Sequence, residues 1–438
     1  MGRYWKKIRK ILRRLIFGGF WAISAGHRHV RIEDMSTGPL QFDSSKADSL
    51  VREIHDSGRR LVLAVTGGGS GAIGELLAVP GASRSVLEAR VPYAASAMND
   101  WLRAVPESYC SGRTARAMAM AAFQRADCLA HDAAREAEAD AKACGEDLAT
   151  LAGLGVTASL ASDRPKRGAH RIHAAAQTAA ATIQVSLTLE KDHRSRAEEE
   201  RIATALVLNL VAESCGVPSR LKLPLTNSET IERRIATAPD AWKQLLTGQK
   251  DKVCAVGSEA APAVVFPGAF NPRHSGHRQM AKVAERVLGH AIAHEISIEN
   301  VDKPPLDFIE IEDRLSQFDD GEVVWLTRAA AFVQKAERFP GATFVVGADT
   351  LRRIAEPKYY EAMKMTTDEA IDALVAAGCR FLMFGRVEGE GADADFVTLE
   401  DLSLSPRLAA ICSEVPESAF RDDISSTELR NQAATDEE

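Results

Sequence analysis

Two histidines three positions apart, His274 and His277, flank Ser275 and Gly276 in the stretch FPGAFNPRHSGHRQM (266–280). An apolar run ends before them and a helical pattern begins after them. At a helix start the unpaired backbone N–H groups and the axial dipole attract anions, so imidazole N–H donors placed there suit a phosphate. A spacing of three brings both rings to one side of the first helical turn. Gly268 and Gly276 would let backbone come close to a ligand. Far downstream, ISSTELR (424–430) sets Ser425, Ser426 and Thr427 ahead of another helix start, with Arg430 about one turn further on. Hydroxyls, N–H groups and a fixed guanidinium charge make a second anion cradle. Two cradles predict one triphosphate gripped from both sides. A third stretch, VVGADTL, ends a strand with Gly347, Ala348 and Asp349. Asp349 is placed to accept from ribose hydroxyls or to orient a metal-bound phosphate. The plainer alternatives are a structural turn in which the histidines cap a helix, and an Asp349 that serves as an N-cap.

These residues need a scaffold. From about 262, strand patterns (AVVFPG, AHEISIEN, EVVWLT, TFVVGAD, RFLMFGRV) alternate with helical ones (SGHRQMAKVAERVLG, AAAFVQKAERF, DEAIDALVAAG). The first helix is expected to put Met280, Val283 and Val287 on its apolar face. Such alternation predicts a Rossmann-like, doubly wound parallel sheet over 262–438, with ligands at the carboxyl ends of its strands. Residues 46–215 predict a separate α/β unit. It has strands at RLVLAVTG, TLAGLGVTASL and ATIQVSLTLE, a long Ala-rich helix over 111–140 and a closing helix at SRAEEERIATALVLNLVAES. Prolines and polar turns around DAWKQLLTGQ mark 216–261 as a linker with some helix. Residues 1–45 form a basic, then apolar extension whose apolar run, 15–25, is too short to span a bilayer. It is either a signal-like or interfacial segment, or an extension ahead of a start at Met35.

The bulk numbers agree with an α/β protein of two domains. A length of 438 residues favours two or three domains over one. A net charge of −7 gives no basic footprint for nucleic acid. The seven cysteines contain no C-x-x-C pair, which argues against a disulfide framework or a zinc site and fits a reducing cytoplasm. No membrane partner is expected, and a homo-oligomer is compatible with the composition.

GAFNPRHSGH and ISSTELR together resemble the nucleotidylyltransferase superfamily, and within it the nicotinamide or nicotinate mononucleotide adenylyltransferases. GAD, and KPPLD with EDR (303–314), fall where that family has similar sequences; the resemblance covers about 262–434. It implies an enzyme of NAD biosynthesis, in which the phosphate of a pyridine mononucleotide attacks the α-phosphate of ATP and pyrophosphate leaves. His274, His277 and Arg430 would be the catalytic groups. Gly268, Phe270, Asn271, Gly276, Lys303, Gly347, Asp349, Ser425, Ser426 and Thr427 would bind the nucleotide and its phosphates. Arg314 would be a further phosphate contact. Mg²⁺ would enter with ATP, mostly through water, so no metal ligands are expected from the chain. Other acceptors stay open, phosphopantetheine or a phosphorylated alcohol with CTP, as does a nucleotide sensor without turnover.

The first unit carries AVTGGGSGAIGELLAVPGAS (64–83), a strand that turns through three glycines into a helix. A Gly-rich turn alone is weak, and it lacks the Gly-Lys-Ser/Thr ending of a triphosphate loop. With VPYAAS, SGRTARAMA and GLGVTASLASDRPKRG in order, 46–215 resembles the CinA C-terminal family, the nicotinamide-mononucleotide amidohydrolases. That resemblance implies deamidation by a serine, a tyrosine and a lysine, in a pocket here made of Thr66, Gly67, Gly68, Tyr93 and Lys166. Thr66 stands at the serine and Tyr93 on the tyrosine. The lysine position reads Met98, and Lys166 matches a different lysine. A hydroxyl nucleophile needs a base, which Met98 cannot be, so a degenerate domain is expected.

Overall fold

The computed structural model describes residues 28–29, 44–136, 148–164, 167–300, 304–388 and 395–420, and forms two α/β domains. The first is a seven-stranded mixed sheet of β1 (Arg28–His29), β2 (Arg60–Thr66), β3 (Val86–Arg90), β4 (Leu151–Ser159), β5 (His170–Thr178), β6 (Ala181–Leu189) and β7 (Ile231–Thr237). Its order is β1-β7-β6-β5-β4-β2-β3. β2 lies parallel to β3 and β4, and β4 to β7 run as an antiparallel meander. Side chains of a strand alternate between faces. Leu61, Leu63 and Val65 therefore join the helices Ser44–Asp56 and Arg196–Ser214 in one core, whereas Val62 and Ala64 face the helix Gly112–Glu136. That helix is Ala-rich because it lies almost on the sheet. A Cβ on Gly153 would come within 2.2 Å of the Ala119 carbonyl, and one on Gly155 within 2.2 Å of that of Ala115.

The second sheet contains β8 (Lys252–Val256), β9 (Val264–Pro267), β10 (Ile292–Ser297), β11 (Val323–Thr327), β12 (Thr343–Gly347) and β13 (Arg380–Phe384). After the small hairpin β14 (Val387–Glu388) and β15 (Asp395–Phe396), β16 (Cys412–Val415) completes it. The order is β16-β13-β12-β9-β10-β11-β8, all parallel except the edge strand β8. From β9 the chain winds outward through β10 and β11, then returns to place β12 on the other side of β9. The doubly wound sheet expected from the alternation is present, and its switch point lies between β9 and β12.

Three features differ from the sequence reading. The segment 216–261, read as a linker, supplies β7 to the first sheet and β8 to the second, with the helix Asp240–Leu246 between them. Ala236, Ala238 and Leu245 are buried in the second core, so the segment is packed rather than free. β5 and β16 were not anticipated, since the Ala-rich HRIHAAAQT and the short CSEV are weak strand patterns until neighbouring strands pair with them. Val287 is 52 % exposed, while Val283 and Ala284 are buried. It sits in the last turn of the helix Ser275–Leu288, just before the left-handed Gly289 cap. The extension 1–45 lies largely outside the described residues, as does the end of the helix expected to reach 140. No helix among the described residues is long and apolar enough to cross a membrane.

Candidate functional site

The chain leaves β9 at the switch point through Gly268 and Ala269 and enters the helix Ser275–Leu288 at His274. Four residues of this loop are fixed by the segment 307–317. The Gln317 side-chain N–H donates to the Phe270 carbonyl at 3.0 Å, and its oxygen accepts from the Arg273 N–H at 2.7 Å. Arg314 donates to the Ala269 carbonyl at 3.0 Å and to Glu310 at 3.0 Å, and Glu310 accepts from the Asn271 amide at 3.2 Å. Arg273 forks onto both oxygens of Glu322 at 2.5 and 2.7 Å, and its guanidinium lies 4.3 Å from the Phe318 ring centre.

Phe270 has φ +46°, a left-handed conformation that costs a bulky residue roughly 1 kcal/mol or more. Packing offsets it. The ring is fully buried, edge-on to His277 at 5.2 Å, His294 at 5.4 Å, Phe266 at 5.5 Å and Phe318 at 5.4 Å. Gly268 serves this ring. A Cβ there would stand 2.6 Å from its nearest atom, so the glycine expected to admit a ligand instead admits Phe270.

The two histidine rings pack against each other, tilted by 36°, with centres 3.8 Å apart. The backbone N–H of His274 donates to Nδ1 of His277 at 3.3 Å, which puts the proton of the neutral His277 ring on Nε2, a hydrogen-bond donor. Burial, then the neighbouring His274, Arg273 and His294, push His277 down to about 3 from 6.5. At about 1.4 kcal/mol per pH unit, protonating the ring in place would cost on the order of 5 kcal/mol. His277 is therefore a neutral donor near pH 7, not a cation. His294 on β10, which the sequence reading passed over, completes the aromatic cluster. Burial first, then Arg273, lowers it to about 4.

Gly347 ends β12 across the switch point, and the space where its side chain would project is open. Gly347 itself precedes the helix Ala348–Ile354, so Asp349 lies inside the first turn and is not the N-cap. Its carboxylate accepts from Arg386 at 2.5 Å and from Arg352 at 3.4 Å, so these two cations already hold the group expected to meet ribose. Arg314 is likewise committed to Glu310 and Ala269, which replaces its expected role at phosphate with one in shaping the loop. Lys303, Ser425, Ser426, Thr427 and Arg430 lie outside the described residues. Among the described residues, no group of three or more His, Cys, Asp or Glu side chains is placed to hold a metal ion.

The loop thus carries His-x-Gly-His into a helix at the switch point between β9 and β12, where sheets of this kind bind ligands. Residues 265–432 match the Cytidylyltransferase-like family. This nucleotidylyltransferase-superfamily match contains both histidines, Gly347 and Asp349. Among solved structures the chain is similar to the competence/damage-inducible protein CihA from Agrobacterium tumefaciens. The identity is 18 %, the TM-score 0.29, and the match covers 41 % of this chain and 99 % of that one. It is also similar to a CinA superfamily protein from Escherichia coli, at 14 % identity and TM-score 0.27, covering 41 % and 93 % of the two chains. No curated protein sequence matches the chain significantly.

In the first domain the glycine turn is engaged by the chain itself. A Cβ on Gly67 would sit 1.9 Å from the Ala158 carbonyl, and one on Gly68 2.5 Å from Leu160, so these glycines permit close packing. The Glu200 carboxylate accepts from the N–H groups of Gly69 at 3.0 Å and Gly71 at 3.2 Å, and from the Ser70 hydroxyl at 3.3 Å. It occupies the donors that would cradle a phosphate. Thr66 ends β2 opposite Thr157. Tyr93 is 70 % exposed, and Met98 is buried against Ala64, Leu102 and Met118. Lys166 lies outside the described residues.

Proposed function

We propose that the second domain transfers AMP from ATP to nicotinate or nicotinamide mononucleotide. An oxygen of the mononucleotide phosphate attacks the α-phosphorus in line, the bond to the β-phosphate breaks, and pyrophosphate leaves with Mg²⁺, which arrives as part of the ATP substrate. The observation that carries this reading is the neutral His277 ring, packed against His274 at the carboxyl end of β9, with its N–H on Nε2. A neutral donor of this kind stabilises charge that builds on the transferring phosphate without needing a proton from solution. His274, at the same helix start, is the second donor. The backbone N–H groups of that start supply further positive potential, and the space at the Gly347 Cα is open. Ser425, Ser426, Thr427, Lys303 and Arg430 are assigned to the β- and γ-phosphates by motif alone. No side chain needs to act as nucleophile, so the work is positioning and charge stabilisation.

A second reading follows from the family match, whose relatives are described as cytidylyltransferase-like: CTP as donor with a phosphorylated alcohol as acceptor. We assign the first domain no deamidation, because Met98 is core and Glu200 fills the turn. The test is pyrophosphate release by the full chain, with ATP or CTP and each acceptor in turn. Release with ATP and a pyridine mononucleotide supports the first reading. Release only with CTP supports the second, and release with neither overturns both.

A further inference from the structure

Arg116 belongs to the first domain, on the helix Gly112–Glu136, yet its side chain is 6 % exposed and bonded to the second domain. Its Nε donates to Asp307 at 3.0 Å, and a terminal nitrogen lies 3.3 Å from Glu310. A further N–H is bonded to Gln184 of β6, which fixes the guanidinium from its own side. Asp307 and Glu310 are themselves 9 % and 12 % exposed. Around them, Arg113 stands 3.6 Å from Glu310, and Thr182 of β6 accepts from the Phe308 N–H at 3.0 Å. Burial alone would raise the Glu310 carboxyl. Arg314, Arg113 and Arg116 outweigh it and hold the group ionised, below the usual carboxylate range.

Glu310 is the carboxylate that accepts from Asn271 and Arg314, two of the side chains that tie down the loop ahead of His274. Asp307 caps the same helix by accepting from the Glu310 N–H at 3.0 Å. One guanidinium from the first domain thus fixes both the start of the helix Phe308–Leu315 and the carboxylate on which the histidine loop hangs. We propose that Arg116 is a positioning residue for the nucleotidyl-transfer site, acting through Glu310, so that the first domain is a built-in support of the second domain's chemistry. The inference rests on the transferase reading for its kinetic consequence, and on geometry alone for its structural one.

The test compares the full chain with Arg116→Met, Glu310→Gln and the double variant. Glu310→Gln removes the charge on which Arg116 acts and keeps a side-chain oxygen for Asn271. Arg116→Met should lower kcat about ten- to hundredfold while KM for ATP stays within about twofold, because the donors are misplaced and not removed. In the Glu310→Gln background the same change should have a clearly smaller effect on kcat, since the connection through Glu310 is already broken and only that through Asp307 remains. Purely structural damage would add in the two backgrounds and would overturn the proposal. A readout independent of turnover is the imidazole NMR spectrum of the full chain, with His277→Gln and His274→Gln used for assignment. The signals of His274 and His277 should shift in Arg116→Met while that of His55, buried in the first domain against Ser85, does not. A folded Arg116→Met protein with both signals unmoved would overturn the proposal, whether or not the wild type turns over. Should wild type release no pyrophosphate with any acceptor, the transferase reading falls, and the spectrum still decides the coupling. If Arg116→Met does not fold, Arg116→Lys and Glu310→Gln carry the same comparison.

Discussion

His277 should make the protein lose stability on acidification from a pH above the usual carboxylate range. The ordinary value is 6.5 and the folded value about 3. Between those limits the unfolded chain binds a proton at this position and the native state does not, so stability rises with pH and falls as pH drops through 6.5. Working this through, a single such ring removes about 2 kcal/mol between pH 7 and pH 5. His294 and His173, both lowered to about 4 chiefly by burial, act in the same direction. Glu229, Glu310 and Glu322 are held below 4.5 by their arginines against the opposing effect of burial, so they weaken the fold only below that range. The assay is denaturant unfolding at pH 7 and at pH 5 for wild type and for His277→Gln, which cannot titrate. The variant should lose about 2 kcal/mol less than wild type over that interval. Equal losses in both proteins, or a His277 ring that titrates near 6.5 by NMR, would refute the reasoning.

Three further outcomes are expected. His277→Asn keeps an acceptor near Nδ1 for the His274 N–H and loses the Nε2 donor, so kcat for pyrophosphate release should fall on the order of 10²–10³ with a near-native melting curve; His277→Gln, which can offer an N–H near Nε2, should fall less. Glu295→Gln should be among the costliest single changes. It leaves the buried Lys335 ammonium, bonded to both Glu295 oxygens at 2.7 and 2.8 Å, without its counter-charge. The loss is about 3–5 kcal/mol, read as a fall in Tm of roughly 10 °C. Glu200→Ala should destabilise by about 0.5–1.5 kcal/mol, since the Ser70 and Gly71 donors it frees are open to water, and should leave nucleotidyl transfer unchanged; a large kinetic effect would tie that turn to the transferase site.

The doubly wound half was legible because its apolar runs are short, separate and alternate with amphipathic helices, and because GAFNPRHSGH sits where a strand gives way to a helix. Local spacing could not reveal which distant side chains close around that loop. Glu310, Gln317, Glu322 and His294 are brought to it by the winding of β10 and the helix Phe308–Leu315, and none forms a motif in sequence. Gly268 illustrates the limit. Its freedom is used, but by Phe270, a neighbour two positions away, and the same local pattern would suit a ligand. Arg314 and Asp349 were readable as candidates only by type, and both are engaged by groups of opposite charge. In the first domain the glycine turn was visible, whereas the Glu200 that fills it lies 129 residues further along the chain than Gly71. The strands within 216–261 were hidden by prolines and polar turns that lie between the elements and not within them.

The central claim is that a phosphate of a pyridine mononucleotide displaces pyrophosphate from the α-phosphorus of ATP at the His274–His277 loop. The most direct measurement follows isotope from α-labelled ATP through the full chain with nicotinate or nicotinamide mononucleotide, beside His277→Asn. The account predicts label in a dinucleotide, unlabelled pyrophosphate in equal amount, and loss of both in the variant. Label that stays in ATP, or that leaves as free AMP with either acceptor, would contradict it.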